Sequence, residues 1–109
     1  MFPMINASLI QQAVDTLLAA APQGSQVVLF GSYARGDAHS QSDLDFLVIE
    51  PALTSRRGEM VRLRQALRPL RVPVDLLVVS RAAFDAWKDL PNNVIHQAAR
   101  EGRFYAHAA

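Results

Sequence analysis

Two aspartates, Asp43 and Asp45, flank Leu44 and follow a Gly31-Ser32 pair after a gap of ten residues. In an extended segment side chains alternate, so both carboxylates project from one face, roughly 6.5 to 7 Å apart along the strand. Paired hard oxygen ligands of this kind suit Mg²⁺ or Mn²⁺, which readily keep substrate phosphates in their coordination shell. Gly31 lacks the Cβ that would keep backbone away from a ligand. A helix starting at Ser32 would turn free N–H groups toward an anion, and the serine hydroxyl can add a bond. Each half also has a plain explanation: Asp-x-Asp is common where a strand leaves a polar loop, and Gly-Ser is an ordinary strand-to-helix turn capped by serine. The surroundings weigh toward chemistry. Leu44, Phe46 and Val48 alternate against Asp43, Asp45 and Leu47, so the carboxylates lie on a face that turns apolar within one further residue. Uncompensated charge beside a core is costly, and a cation or basic partner is expected there.

A third carboxylate, Asp75, interrupts the apolar run Pro73 to Val79, where β preference disfavours aspartate. It can be a strand-start residue bonded to nearby backbone. If its strand lies beside that of Asp45, however, three carboxylates converge. Two metal ions about 3.5 to 4 Å apart could then stabilise the attacking and leaving oxygens of a phosphoryl or nucleotidyl transfer. Arg35 suits two roles equally, a cation near phosphate or an ion-pair partner of Asp37 or Asp43. His39 reads as an exposed loop residue, while His96 and His107 have no ligand spacing. Ser40 and Ser42 are assigned to shaping the loop. Phe84 and Trp87 are assigned to packing, as are Phe104 and Tyr105 if the tail is ordered.

The elements that must position these residues follow from periodicity and punctuation. Leu9, Ile10, Val14, Leu17 and Leu18 recur at helical spacing from Asn6 or Ser8 to about Ala20, with Pro22 and Gly24 ending the run and one face expected on a sheet. Gln26 to Phe30 is a short apolar strand of the kind buried on both faces. A short turn or helix follows from Ser32 to Ala34, then a polar loop over residues 36 to 42 and a strand from Leu44 to Ile49. Met60, Leu63, Leu67 and Leu70 stripe an amphipathic helix from about Ser55 to Leu70. Val74 to Val79 is a third strand, Arg81 to Lys88 a short helix capped by Ser80, and a last helix ends near Arg100 before Glu101-Gly102. The order α-β-(α)-β-α-β-α-α implies an α/β (α+β) fold, a small sheet flanked by helices.

The chain has 109 residues, a length that reads as a single domain, residues 1–109, with a real core and no room for a second domain that selects a substrate. Half the residues are hydrophobic and 19% are charged, a balance that fits a globular protein rather than a disordered one. Apolar runs are too short to span a bilayer, and Met1 to Asn6 lacks the basic start of a secretory signal, so no membrane association and a cytoplasmic location are expected. The absence of cysteine excludes disulfides, zinc-thiolate sites and thiol nucleophiles, which leaves oxygen or imidazole as metal ligands. The net charge of +1 hides a local excess: six of the eleven basic residues, Arg56, Arg57, Arg62, Arg64, Arg68 and Arg71, are opposed only by Glu59. Such a stripe is most simply a solvated helix face; with no aromatics interleaved, direct nucleic-acid binding is not expected, and docking of a protein partner is the better functional assignment.

Gly31-Ser32-Tyr33-Ala34-Arg35-Gly36-Asp37, with Ser42-Asp43-Leu44-Asp45-Phe46-Leu47-Val48 after it, resembles the signature of the DNA polymerase β-like nucleotidyltransferase superfamily. Within that superfamily the chain is similar to the minimal nucleotidyltransferases, or MNT proteins, over nearly its whole length through Asp75. The resemblance implies a small mixed sheet with a polymerase β palm-like core that binds ATP or another nucleoside triphosphate with Mg²⁺, two ions in all, Mn²⁺ being an alternative. By position, Gly31, Ser32 and Arg35 would hold the nucleotide. Asp43, Asp45 and Asp75 would be both metal ligands and catalytic residues, with Asp75 helping to deprotonate the attacking hydroxyl as pyrophosphate leaves. MNT proteins are often encoded beside a HEPN-domain toxin, and the resemblance implies transfer of AMP to a tyrosine of such a partner. Two other readings stay open: a catalytically silent antitoxin that neutralises by contact, and transfer to RNA or a small molecule with a partner subunit supplying specificity. A homo- or hetero-oligomer is compatible with either.

Overall fold

The computed structural model describes residues 4–108; Met1 to Pro3, part of the segment read above for a signal, lie outside the described residues, as does Ala109. Asn6 opens α1 (Ala7–Ala20) by accepting from the Leu9 N–H at 2.8 Å, and Ser55, Ser80 and Asn93 cap α3 (Arg56–Leu67), α4 (Arg81–Trp87) and α5 (Val94–Glu101) in the same way. Between them run β1 (Gln26–Phe30), the one-turn α2 (Ser32–Arg35), β2 (Leu44–Glu50), β3 (Val74–Ser80) and, after α5, β4 (Arg103–Ala106). The four strands form one mixed sheet in the order β3-β2-β1-β4. β1 is antiparallel to both β2 and β4, while β2 and β3 are parallel.

Strand alternation divides the interior in two. Val27, Leu29, Phe46, Val48, Leu76 and Val78 face α1 and α3, where Ala13, Val14, Leu17, Leu63 and Leu67 meet them. The opposite parity, Val28, Phe30, Leu47, Ile49 and Val79, faces Phe84 of α4 and Ala98 of α5. β1 and β2 are therefore buried on both faces, as their unbroken apolar runs predict. No helix among the described residues is long and apolar enough to cross a membrane.

Two expectations are corrected. α3 stops at Leu67 rather than Leu70; Pro69 has no N–H to continue the ladder, so Arg68–Leu70 tightens into a 3-10 turn and Arg71 takes a left-handed φ of 53°. Trp87 does not pack: it is 51% exposed, because it stands at the end of α4, whose buried residue is Phe84. The tail is ordered as β4, which the sequence reading left unassigned. Gly102 makes that strand accessible. A Cβ at this position would lie 2.3 Å from both the Ala98 carbonyl oxygen and Val28 Cγ1, so only glycine lets the chain leave α5 and lie down on β1.

At the end of β2 remote from Asp45, Glu50 is buried at 2% exposure, with Oε2 lacking a hydrogen-bond partner. Burial, and then neighbouring Glu59, pushes its carboxyl up to about 7. Glu59 itself is held in the ionised form by Arg62, which donates to its two oxygens at 2.7 Å each. A carboxyl raised above its unfolded value stabilises the fold below that unfolded value, and the contribution is lost as pH rises through about 7. Glu50→Gln, neutral at every pH, is therefore expected to raise the melting temperature at about pH 8 and to leave it nearly unchanged at about pH 5, measured by thermal unfolding in parallel buffers.

Candidate active site

β1 ends at Phe30, and the next residue turns the chain with a φ of +76° that glycine adopts freely. The turn is also tight for a second reason. A Cβ on Gly31 would stand 2.0 Å from Asp45 Oδ2, so the backbone at 31 lies directly against the Asp45 side chain. That contact follows from register: Phe30 is paired with Asp45 across the antiparallel ladder, and Asp45 is in turn paired with Asp75 across the parallel one. Neighbouring strands are about 4.8 Å apart, so Asp45 and Asp75 are direct neighbours on one face. Asp43 precedes β2 by one residue with the same parity as Asp45.

The loop before Asp43 is shaped by its own polar groups. The His39 N–H donates to Ser42 Oγ at 2.9 Å, the Ser42 N–H to the His39 carbonyl at 2.9 Å, and the Gln41 N–H to His39 Nδ1 at 3.2 Å. His39 and Ser42 thus serve the loop. His96 and His107 bond the carbonyls of Lys88 and Leu18. Beside the loop, Ser42, Asp43, Arg71 and Pro73 join Ile5 and Leu9 in lining an open cleft of about 980 Å³.

None of Asp43, Asp45 and Asp75 has a hydrogen-bond or ion-pair partner for its carboxylate among the described residues. Their mutual repulsion is legible in Asp45, whose carboxyl is pushed up first by burial, then by Asp75 and Asp43, with Arg35 opposing. Among the described residues, no three His, Asp or Glu side chains are drawn together closely enough to hold an ion as they stand. The chemistry of the set nevertheless suits a hard divalent cation: three oxygen ligands, unneutralised, on two adjacent strands. Asp43 and Asp75 are exposed, and Asp45 is half-buried.

Arg35 resolves its two readings in part. Its Nε donates to Asp37 at 3.1 Å, as one alternative had it, while its Nη1 bonds Glu101 Oε2 at 3.0 Å instead of Asp43. Glu101 is the residue that the sequence reading missed, having served there only as a helix stop. The same Oε2 accepts from the Gly31 N–H at 2.5 Å and from Gln97 Nε2 at 3.1 Å. One signal pointed to it: an acidic side chain in the last turn of a helix opposes the helix dipole and calls for a partner elsewhere.

The chain belongs to the nucleotidyltransferase domain family, whose model matches residues 10–103. The crystal structure of a candidate nucleotidyltransferase from Sulfolobus solfataricus is similar to it, with a TM-score of 0.58 and 27% identity over 75% of this chain and 73% of that one. A toxin–antitoxin complex solved with AMP-PNP is similar at a TM-score of 0.61 and 19% identity, over 94% of this chain and 75% of that one. An MntA–HpeT toxin–antitoxin variant with two aspartates replaced by glutamate gives 0.56 and 17%, over 94% and 75%. At these last two identities the likeness is one of fold. A comparison with curated proteins gives no match.

The contact between Gly31 and Asp45 generates a quantitative expectation. Gly31→Ala carries both the positive-φ strain and the Oδ2 collision, and should cost about 1 to 3 kcal/mol of stability. In an Asp45→Ala background the strain persists while the collision is gone, so the cost should fall by about 1 kcal/mol or more; denaturant unfolding of the four proteins checks the coupling.

Proposed function

We propose that this chain is a metal-dependent nucleotidyltransferase, acting in the cytoplasm as one minimal domain, that transfers AMP from ATP to a hydroxyl carried by a partner protein. The observation that carries the reading is the unpartnered set Asp43, Asp45 and Asp75 on adjacent strands, set against the Gly31 turn. Asp43, Asp45 and Asp75 would hold Mg²⁺, two ions with Mn²⁺ as a substitute, which when bound supplies charge neutralisation at the phosphates. Gly31, Ser32 and Arg35 would bind and orient the triphosphate. Asp75, exposed on its strand, would take the proton of the attacking hydroxyl. The hydroxyl oxygen then bonds the α-phosphorus as the bond from that phosphorus to the pyrophosphate oxygen breaks.

The acceptor we favour is a tyrosine of a HEPN-type toxin, which would make this chain an antitoxin. Two things support it: the resemblance to MNT proteins, and a fold shared with MntA–HpeT toxin–antitoxin structures. The exposed arginines 57, 64, 68 and 71 offer a basic surface for docking an acidic partner.

The test combines the purified chain with radiolabelled ATP, Mg²⁺ and the product of the neighbouring reading frame. Label is expected on that product, at a tyrosine, and should fall by at least about a hundredfold with Asp43→Ala/Asp45→Ala. Label that survives the double substitution sinks the proposed site. Toxin neutralised equally well by the double variant, with no label in either reaction, replaces the enzyme with an antitoxin that works by contact. Label on RNA or a small molecule instead moves the acceptor.

A further inference from the structure

α5 ends on a carboxylate whose contacts reach well beyond its own helix. Glu101 stands in the last turn, where the negative end of the helix dipole disfavours an acid, yet its side chain is only 20% exposed. Its Oε2 gathers donors from three segments: the Gly31 N–H at 2.5 Å, Arg35 Nη1 at 3.0 Å and Gln97 Nε2 at 3.1 Å. The Arg35 pair, half-exposed, contributes little by itself. The short bond to the Gly31 peptide is different, because a charged acceptor on a backbone N–H fixes the position of the main chain.

We propose that Glu101 is a positioning residue for the nucleotide site: it clamps the Gly31 peptide and Arg35 so that the turn holds its form against Asp45. The inference rests on the nucleotidyltransferase reading given above. Glycine at 31 tolerates the positive φ but does not enforce it, since it samples other conformations as readily. Something must hold it. The Gly31 backbone is also the wall on which the Asp45 carboxylate rests, so a shift of that peptide moves a proposed metal ligand. Glu101 is well placed to resist such a shift. Two residues later Arg103 pairs with Leu29 in the β1–β4 ladder, and Gly102 is packed without clearance against Val28 and the Ala98 carbonyl. The clamp is thus tied to the same strand whose end it holds.

The opposite assignment is a gate, in which Glu101 occupies an anion position until phosphate displaces it. The two differ in sign. Binding of Mg²⁺ with a non-hydrolysable ATP analogue is measured by calorimetry for the wild type, Glu101→Ala and Glu101→Gln, with thermal unfolding run alongside. Loss of the clamp is expected to weaken binding about tenfold in Glu101→Ala, with Glu101→Gln between because its amide oxygen still accepts from Gly31. In transfer assays the loss should fall on the KM for nucleotide more than on kcat. The Gly31 amide proton, shifted downfield by its short bond, should stay there when the analogue binds to the wild type. Affinity unchanged or tighter in a folded Glu101→Ala overturns the inference. Should that variant fail to fold, unchanged affinity in Glu101→Gln together with an upfield move of the wild-type Gly31 amide overturns it equally. A wild type that binds no nucleotide sinks the nucleotidyltransferase reading itself, and the clamp with it.

Discussion

Everything at this site depends on one register. Phe30, Asp45 and Asp75 lie side by side across three strands, and the pleat decides that the face carrying the two carboxylates is the one opposite α1 and α3. A slip of one residue in β2 would carry Leu44, Phe46 and Val48 to the other face and bury the aspartates in the larger core. The apolar residues thus do more than hold the molecule together. By demanding burial on the α1–α3 side, they fix where the charges must emerge. Phe46 and Leu44, both fully buried, flank Asp45 and leave it one direction to point.

That placement has an electrostatic consequence. A half-buried Asp45 between Asp43 and Asp75 is less comfortable ionised than a free aspartate, and among the described residues no basic side chain forms an ion pair with any of the three. A protein selected only for stability would neutralise such a cluster or keep it in solvent. Here Arg35, the cation that opposes the upward push on Asp45, is itself engaged by Asp37 and Glu101 rather than by the cluster. Concentrated unneutralised charge is the usual mark of a site whose missing counter-charge arrives with its ligand.

The parts of this arrangement legible in the sequence are those carried by short-range pattern. β1 appears at the bounds expected for it, α1, β2 and β3 within a residue or so, and the parity of Asp43 and Asp45 follows from alternation alone. What escaped has a physical cause each time. β4 is four residues with no alternation of burial, and it exists because β1 offers an edge and Gly102 lets the chain reach it. The Glu101 contact to Gly31 joins residues 70 apart, beyond any local periodicity. The end of α3 was legible in Pro69, but the apolar stripe through Leu70 outweighed it, and the 3-10 turn satisfied both.

These two classes of feature have different roles. The proposed site residues, Gly31 to Asp45 and Asp75, lie on β2 and β3 and in the segment that joins β1 to β2, and are readable as a motif. The residues that hold them, Glu101 and the Gly102 junction, come from the last part of the chain and close the sheet on its other edge. β3 and β4 are the two outer strands, with Asp75 on one and the Gly102 junction leading into the other. Asp75, on the outer strand β3, is exposed. Under the proposed chemistry a hydroxyl acceptor would meet Asp75 at that outer strand, whereas the Gly31 peptide is held by Glu101 of α5. On the proposed reading the nucleotide side is thus braced through Glu101, while the exposed Asp75 carboxylate stands on the outer strand where an acceptor would enter.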